Sequence, residues 1–218
     1  MIVKLLFRAA RRLLEKWEFS VATRYRRARL ILDCHFHGVE LELGRNVHFH
    51  HPVRVWGVGG KLVIEDDVWF AFYGGNRCLG PIHLQLRTPG AELRIGHNVW
   101  LMPAIQIVCF ERITIGPEAM FGFGCSMIDS DVHDFSPEGG VRPGKTAPVK
   151  VGQGARICPE TAILKGVTVG EHAVVGNKSV VQGNLPPRCV AAGNPARVFL
   201  QYKDPEPATP KSDAVVVP

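Results

Sequence analysis

The stretch VGQGARICPETAILKGVTVGEHAVVGNKSVV, residues 151–181, decides the fold. An aliphatic residue returns at every sixth position, as Val151, Ile157, Ile163, Val169, Val175 and Val181. Four residues after each of the first five sits a small or β-branched residue: Ala155, Thr161, Val167, Ala173 and Ser179. Glycine follows the aliphatic residue at Gly152, Gly170 and Gly176. Period six is neither the 3.6 of a helix nor a plain strand alternation, and the scattered glycines and prolines would each cost roughly 1–3 kcal/mol inside a helix. A short strand and a turn, repeated with one large inward residue per side, explain the beat. Stacked coils of this kind form a parallel β-helix stabilised between neighbouring coils, with the small residue fitted to the corner. A β-sandwich would instead place its turn signals roughly 8–12 residues apart.

The same register extends upstream through Ile115, Phe121 and Met127, and through Ile95, Leu101 and Ile107. Fainter traces lie at Ile64 and Phe70 and at Leu43, Phe49 and Val55. Two segments interrupt it. Residues 71–94 read as an irregular stretch, a widened coil or a hairpin excursion. Residues 130–148 (SDVHDFSPEGGVRPGKTAP) read as a loop leaving the stack, and long loops on rigid scaffolds tend to carry function. Past Val181, NLPPRCVAAGNPARVFLQY closes the coil stack. The expected organisation is a basic helical segment over 1–32, a repeat body over 33–202 with its loop at 130–148, and a proline-rich disordered tail over 203–218.

Of 218 residues 46% are apolar and 21% charged, which suits a single globular body and excludes collagen, a disordered chain and a disulfide-stapled mini-protein. The net charge of +6 is localised. Residues 1–30 hold nine basic and two acidic side chains, a balance of +7, so the remaining residues sum to 6 − 7 = −1. The six cysteines form no C-x-x-C pair, which fits a reduced, cytoplasmic setting. No apolar run reaches the roughly 18 residues of a spanning helix, and arginines interrupt the N-terminus where a signal peptide needs an unbroken apolar stretch.

The run from Pro148 to Phe199, with GVTVG, the S-V-V stretch and the closing A-G-N-P-A-R, resembles the hexapeptide-repeat acyltransferases. The likeness is greatest to the branch that O-acetylates sugars and bacterial surface polysaccharides. It implies an all-β, left-handed parallel β-helix, a homotrimer, and acetyl-CoA as acyl donor. It also implies that the loop histidine, here His133 in DSDVHD, is a general base. Acyl transfer to a hydroxyl requires removal of the hydroxyl proton as the bond forms, and imidazole titrates near neutrality. Asp131 or Asp134 would hold its ring. The thioester arm would run beside Gly176, Asn177 and Gln182, with Arg197 near the nucleotide phosphates. The chain departs from the family at Gly183, where lysine is usual, and at Cys158, where glycine is usual.

Other candidates read as packing. Cys125 occupies the small slot after Phe121 and suits a buried corner better than a nucleophile. Trp56, Trp69 and Trp100 suit coil faces or subunit contacts. His48, His50 and His51 raise the question of a metal. In a related metal enzyme of the same fold two histidines lie five apart, whereas here Glu138 follows His133 at that spacing, so no metal is expected.

Over residues 1–17, Ile2, Leu5, Leu6, Ala9, Leu13 and Trp17 recur at helical spacing with Lys4, Arg8, Arg11, Arg12 and Glu15 largely opposite. Such a basic amphipathic helix suits either peripheral contact with the inner face of an anionic membrane or packing on the coils or between subunits. Nucleic acid has no supporting motif. The expected function is O-acetylation of a sugar hydroxyl on a cell-surface polysaccharide or its lipid-linked precursor. N-acetylation of an amino sugar and a non-catalytic β-helix scaffold are the alternatives.

Overall fold

A computed structural model describes residues 20–71, 79–133 and 144–203. Residues 20–36 are helical, and strands follow in triplets. The first coil holds β1 (Glu40–Leu43), β2 (His48–Phe49) and β3 (Val53–Gly57), and the second β4 (Lys61–Ile64), β5 (Trp69–Phe70) and β6 (Ile82–Leu86). The third holds β7 (Glu92–Ile95), β8 (Trp100–Leu101) and β9 (Gln106–Cys109), and the fourth β10 (Arg112–Ile115), β11 (Met120–Phe121) and β12 (Ser126–Ile128). The fifth holds β13 (Val149–Val151), β14 (Arg156–Ile157) and β15 (Ala162–Ile163), and the sixth β16 (Thr168–Val169), β17 (Val174–Val175) and β18 (Val180–Val181). Each of these strands pairs in parallel with its counterpart one coil away, producing three faces. The first face runs β1-β4-β7-β10-β13-β16, the second β2-β5-β8-β11-β14-β17, and the third β3-β6-β9-β12-β15-β18. β19 (Cys189–Gly193) adds to the second face beyond β17, and β20 (Ala196–Gln201) folds back antiparallel on β19 to end the stack. This is the all-β parallel β-helix that the six-residue beat implies.

The beat becomes columns. Leu43, Ile64, Ile95, Ile115, Val151 and Val169 stand in register on the first face. Phe49, Phe70, Leu101, Phe121, Ile157 and Val175 do so on the second. Val55, Leu84, Ile107, Met127, Ile163 and Val181 do so on the third. All are buried except Leu43, which packs partly buried against the core. Burying each side chain stabilises the fold by about 1.5–3 kcal/mol. The small-residue slot is also interior, with Ala155, Thr161, Val167, Ala173 and Ser179 all buried. Thr161 and Ser179 satisfy their hydroxyls on the Gly176 carbonyl, at 3.1 and 2.7 Å.

At the corner between the first and second faces, Asn98, Glu118, Gly154 and His172 share a left-handed φ of 51, 59, 63 and 55°. Each donates its N–H to a carbonyl of the coil before: Asp66, His97, Pro117 and Gln153, at 2.8–3.0 Å. The coil-to-coil hydrogen bond offsets a conformation that costs L-residues roughly 1–2 kcal/mol.

Of the two readings of residues 71–94, the widened coil holds and the hairpin excursion does not. Ile82, Leu84 and Leu86 point inward, and β6 pairs in parallel with both β3 and β9, so this segment continues the third face rather than making a hairpin. The insertion hides the beat because it displaces the coil: Trp69 pairs with Trp100, 31 positions on, whereas Arg156 pairs with Val174, 18 on.

The helix runs to residue 36, past the boundary expected at 32, and packs on the first coil. Leu30 and Cys34 are buried against the core, Arg26 Nη1 donates to the Phe49 carbonyl at 3.2 Å, and the Val55 N–H donates to the Asp33 carboxylate at 3.4 Å. The stripe read over residues 1–17 and the tail beyond 203 lie outside the described residues. No helix among the described residues is long and apolar enough to cross a membrane.

Candidate active site

The loop that carries His133 leaves the stack at the corner between the third and first faces, after β12. Its first residue, Asp129, is buried. The carboxylate accepts the backbone N–H groups of Phe110, Glu111 and Arg112 at 2.7, 2.8 and 2.8 Å, with the Cys109 thiol at 3.6 Å. These donors form the same corner one coil earlier, so Asp129 ties the loop's exit to the stack. The returning leg is zipped to the outgoing one. Ser130 and Thr146 form an antiparallel bridge, the Asp131 N–H donates to the Lys145 carbonyl at 3.0 Å, and the Ala147 N–H donates to the Asp129 carbonyl at 2.9 Å.

Between these legs the chain turns sharply. Val132 sits at φ 64°, a region that a β-branched residue rarely adopts. Its N–H donates to Ser130 Oγ at 2.9 Å, and the His133 N–H donates to the Asp131 carbonyl at 2.7 Å. The turn throws the His133 side chain into solvent, where the imidazole has no hydrogen-bond partner among the described residues. Strain held at a loop base by surrounding hydrogen bonds is a mark of functional positions.

Asp131 faces the stack rather than the histidine. Its Oδ2 lies 2.5 Å from Lys165 Nζ on the fifth coil, with both side chains a little under 30% exposed. Asp134, the other residue expected to orient the ring, lies outside the described residues. A further tie comes from Thr146 Oγ1, which donates to Glu111 Oε2 at 2.7 Å.

The four residues expected along the acyl-donor arm divide between the two edges of the third face. Gln182 follows β18 on the same corner as the loop, two coils beyond it through the pairs Met127–Ile163 and Ile163–Val181. Gly176 and Asn177 sit at the opposite edge, between β17 and β18. Arg197 pairs with Ala192, whose Cβ would lie 2.9 Å from a Cβ placed on Gly176, so these two residues share that edge. Glycine at 176 is therefore explained by close packing on Ala192. Asn177, Gln182 and Arg197 are exposed and free to meet a ligand. Gly183 has open space around it, which leaves that corner without the family's lysine.

Three residues were missed by sequence reasoning: Asp129, Val132 and Lys165. Asp129 shared its aspartate-rich stretch with turn formers, and nothing local distinguishes a buried carboxylate from a solvated one. Cys125 is buried with its thiol 3.2 Å from the Cys158 carbonyl, and burial pushes its pKa up to about 11, which leaves it protonated at neutral pH. His48 stacks on Trp69 at 3.8 Å, and the His51 ring bonds the carbonyls of Leu79 and Gly80 at 3.1 and 3.0 Å.

No family model matches the chain. It is 27% identical over 149 residues to the galactoside O-acetyltransferase of Escherichia coli (strain K12), a match covering 67% of this chain. The matched stretch spans 64% of that relative, just under two thirds of its length. Among solved structures, the polysialic acid O-acetyltransferase OatWY superposes with a TM-score of 0.62 at 24% identity, over 82% of this chain and 83% of that one. The hexapeptide-repeat acetyltransferase VCA0836 of Vibrio cholerae O1 biovar eltor, complexed with acetyl coenzyme A, superposes with a TM-score of 0.56 at 20% identity, over 81% and 78%. At these identities the two structures show the shared fold, a left-handed β-helix. In the six-residue beat, the three-faced coil stack and the stretch shared with the galactoside enzyme, the chain is similar to the hexapeptide-repeat acetyltransferases.

Proposed function

We propose that this chain transfers an acetyl group from acetyl-CoA to a hydroxyl of a saccharide belonging to a cell-surface polysaccharide or its lipid-linked precursor. The observation that carries the reading is the placement of His133: a solvent-facing imidazole on a strained turn whose two legs are tied to the coil stack. The thioester supplies an activated carbonyl. His133 takes the hydroxyl proton as the acceptor oxygen forms its bond to that carbon, and returns the proton to the departing thiolate. A positioned base of this kind contributes on the order of 10² to 10⁴ in rate. Asn177, Gln182 and Arg197 are the side chains we assign to the donor. Because they occupy both edges of the third face, a homotrimer would bring one copy's His133 corner against another copy's Asn177 edge. Cytoplasmic location with peripheral membrane contact through the basic residues 1–30 suits an acceptor carried on lipid.

The test is thiol release from acetyl-CoA over a panel of saccharides, wild type against His133→Ala. The variant is expected to lose at least 100-fold in acceptor-dependent turnover. Full turnover by the variant would remove His133 from the mechanism.

A further inference from the structure

We propose that the corner between the first and second faces carries a binding groove for an acidic saccharide chain, separate from the corner of His133. The inference deepens the reading of the chain as a saccharide acyltransferase and rests on it. At this corner the left-handed residues Asn98, Glu118, Gly154 and His172 form a column, one per coil. Glycine at 154 removes the side chain from one level, and His172 leans into the space so closely that a Cβ on Gly154 would collide with its imidazole. Beside this notch stand the outward residues of β8, β11 and β14, which are Trp100, Met120 and Arg156 in register. Together these side chains line a groove of about 360 Å³.

The groove is built from complementary chemistry. Trp100 is held in place, its Nε1–H donating to Asn98 Oδ1 at 3.2 Å and its ring stacked on Trp69 at 4.9 Å with 14° between planes. Trp100 and Met120 form an apolar wall for the C–H faces of a sugar. Glu118 is exposed and offers acceptors to hydroxyls. Arg156 lies with Nη1 3.1 Å from Met120 Sδ and makes no ion pair among the described residues, so its guanidinium fork is open to a sugar carboxylate. Four coil levels, separated by three steps of about 4.8 Å, make the groove roughly 14 Å long, which suits a chain better than a single sugar. A polymer held there would present its remaining units to the catalytic corner at raised effective concentration.

The test is calorimetric titration of the full chain, without acetyl-CoA, with oligogalacturonate and oligosialic acid as acidic probes and a maltooligosaccharide as neutral probe. Saturable binding of an acidic probe, absent for the neutral one and weakened at least tenfold by Arg156→Glu, is expected. Failure of both acidic probes to bind, or equal binding by Arg156→Glu, overturns the proposal. So does a change of oligomeric state in that variant, which would make the groove a contact between copies. Turnover separates this outcome from the function itself. Acetyl transfer without groove binding sinks the groove alone, and groove binding without any acetyl transfer sinks the enzyme reading.

Discussion

Lys165 Nζ lies 2.5 Å from Asp131 Oδ2, so the fifth coil grips the loop of the fourth two residues before His133. The carboxylate that the sequence offered as a partner for the imidazole is committed to a lysine 34 positions away. Partly exposed ion pairs contribute at most about 1 kcal/mol to stability. Lys165→Met should therefore leave the melting transition nearly unchanged while releasing the turn that aims His133. We expect about a tenfold loss of kcat with a smaller change in acetyl-CoA KM, measured by steady-state kinetics. Unchanged kcat would show that the pair does not position the base.

Asp129→Asn tests the loop's anchor. The buried carboxylate receives three backbone N–H groups, two of them on Oδ2. An amide keeps one acceptor oxygen and turns its NH2 against N–H donors, leaving buried donors unsatisfied. The expected loss is about 2–4 kcal/mol, read from the urea midpoint, with loop and catalysis impaired together. A loss below about 0.5 kcal/mol would mean that water or a rearranged corner replaces the carboxylate.

The fold was legible because each coil of a β-helix repeats the same local problem, and a column such as Val151–Ile157–Ile163 prints its solution directly into the sequence. Leu84 solves that problem too, but the insertion ahead of it shifts the phase, so the same physics left no visible beat. The site was legible only in part. His133 was a candidate because its loop resembles the family's, whereas Asp129 and Lys165 act through partners brought near by coil stacking, a relation no local spacing encodes. The groove beside Trp100 arises from side chains one coil apart, at sequence separations of 18 to 36, and has no local signature either.

Acid should weaken the N-terminal coils through His48 and His50. Burial lowers both pKa values below the ordinary 6.5. For His48 the Asp67 charge opposes the shift in part, and for His50 the charges of His48 and Arg26 add to it. Between the folded and unfolded pKa values the unfolded chain binds more protons, so stability rises with pH there. The contribution is complete above 6.5 and lost as pH falls below it. Urea midpoints at about pH 7.5 and about pH 5.5 should fall more for wild type than for His48→Phe with His50→Leu. Equal losses would assign the acid sensitivity elsewhere.

Two glycine substitutions separate coil spacing from chain flexibility. A Cβ on Gly152 would lie 2.6 Å from the Glu171 nitrogen and 2.9 Å from the Glu171 Cα and the Gly170 carbonyl carbon. The chain cannot retreat, because the Gly152 N–H donates to the Val169 carbonyl at 2.8 Å, so an added methyl must force the fifth and sixth coils apart. Overpacking of this kind costs about 1–3 kcal/mol. Gly183 lies at a corner of the sixth coil with nothing within 4 Å of its Cβ position and without a left-handed φ. Alanine there meets no neighbour and restricts the unfolded chain, which stabilises by about 0.4–1 kcal/mol. Gly152→Ala should accordingly lower the melting temperature and Gly183→Ala hold or raise it, both read by calorimetry. If the two variants shifted together, the glycines would matter through chain entropy, and close approach of neighbouring coils would not be what selects glycine after Val151.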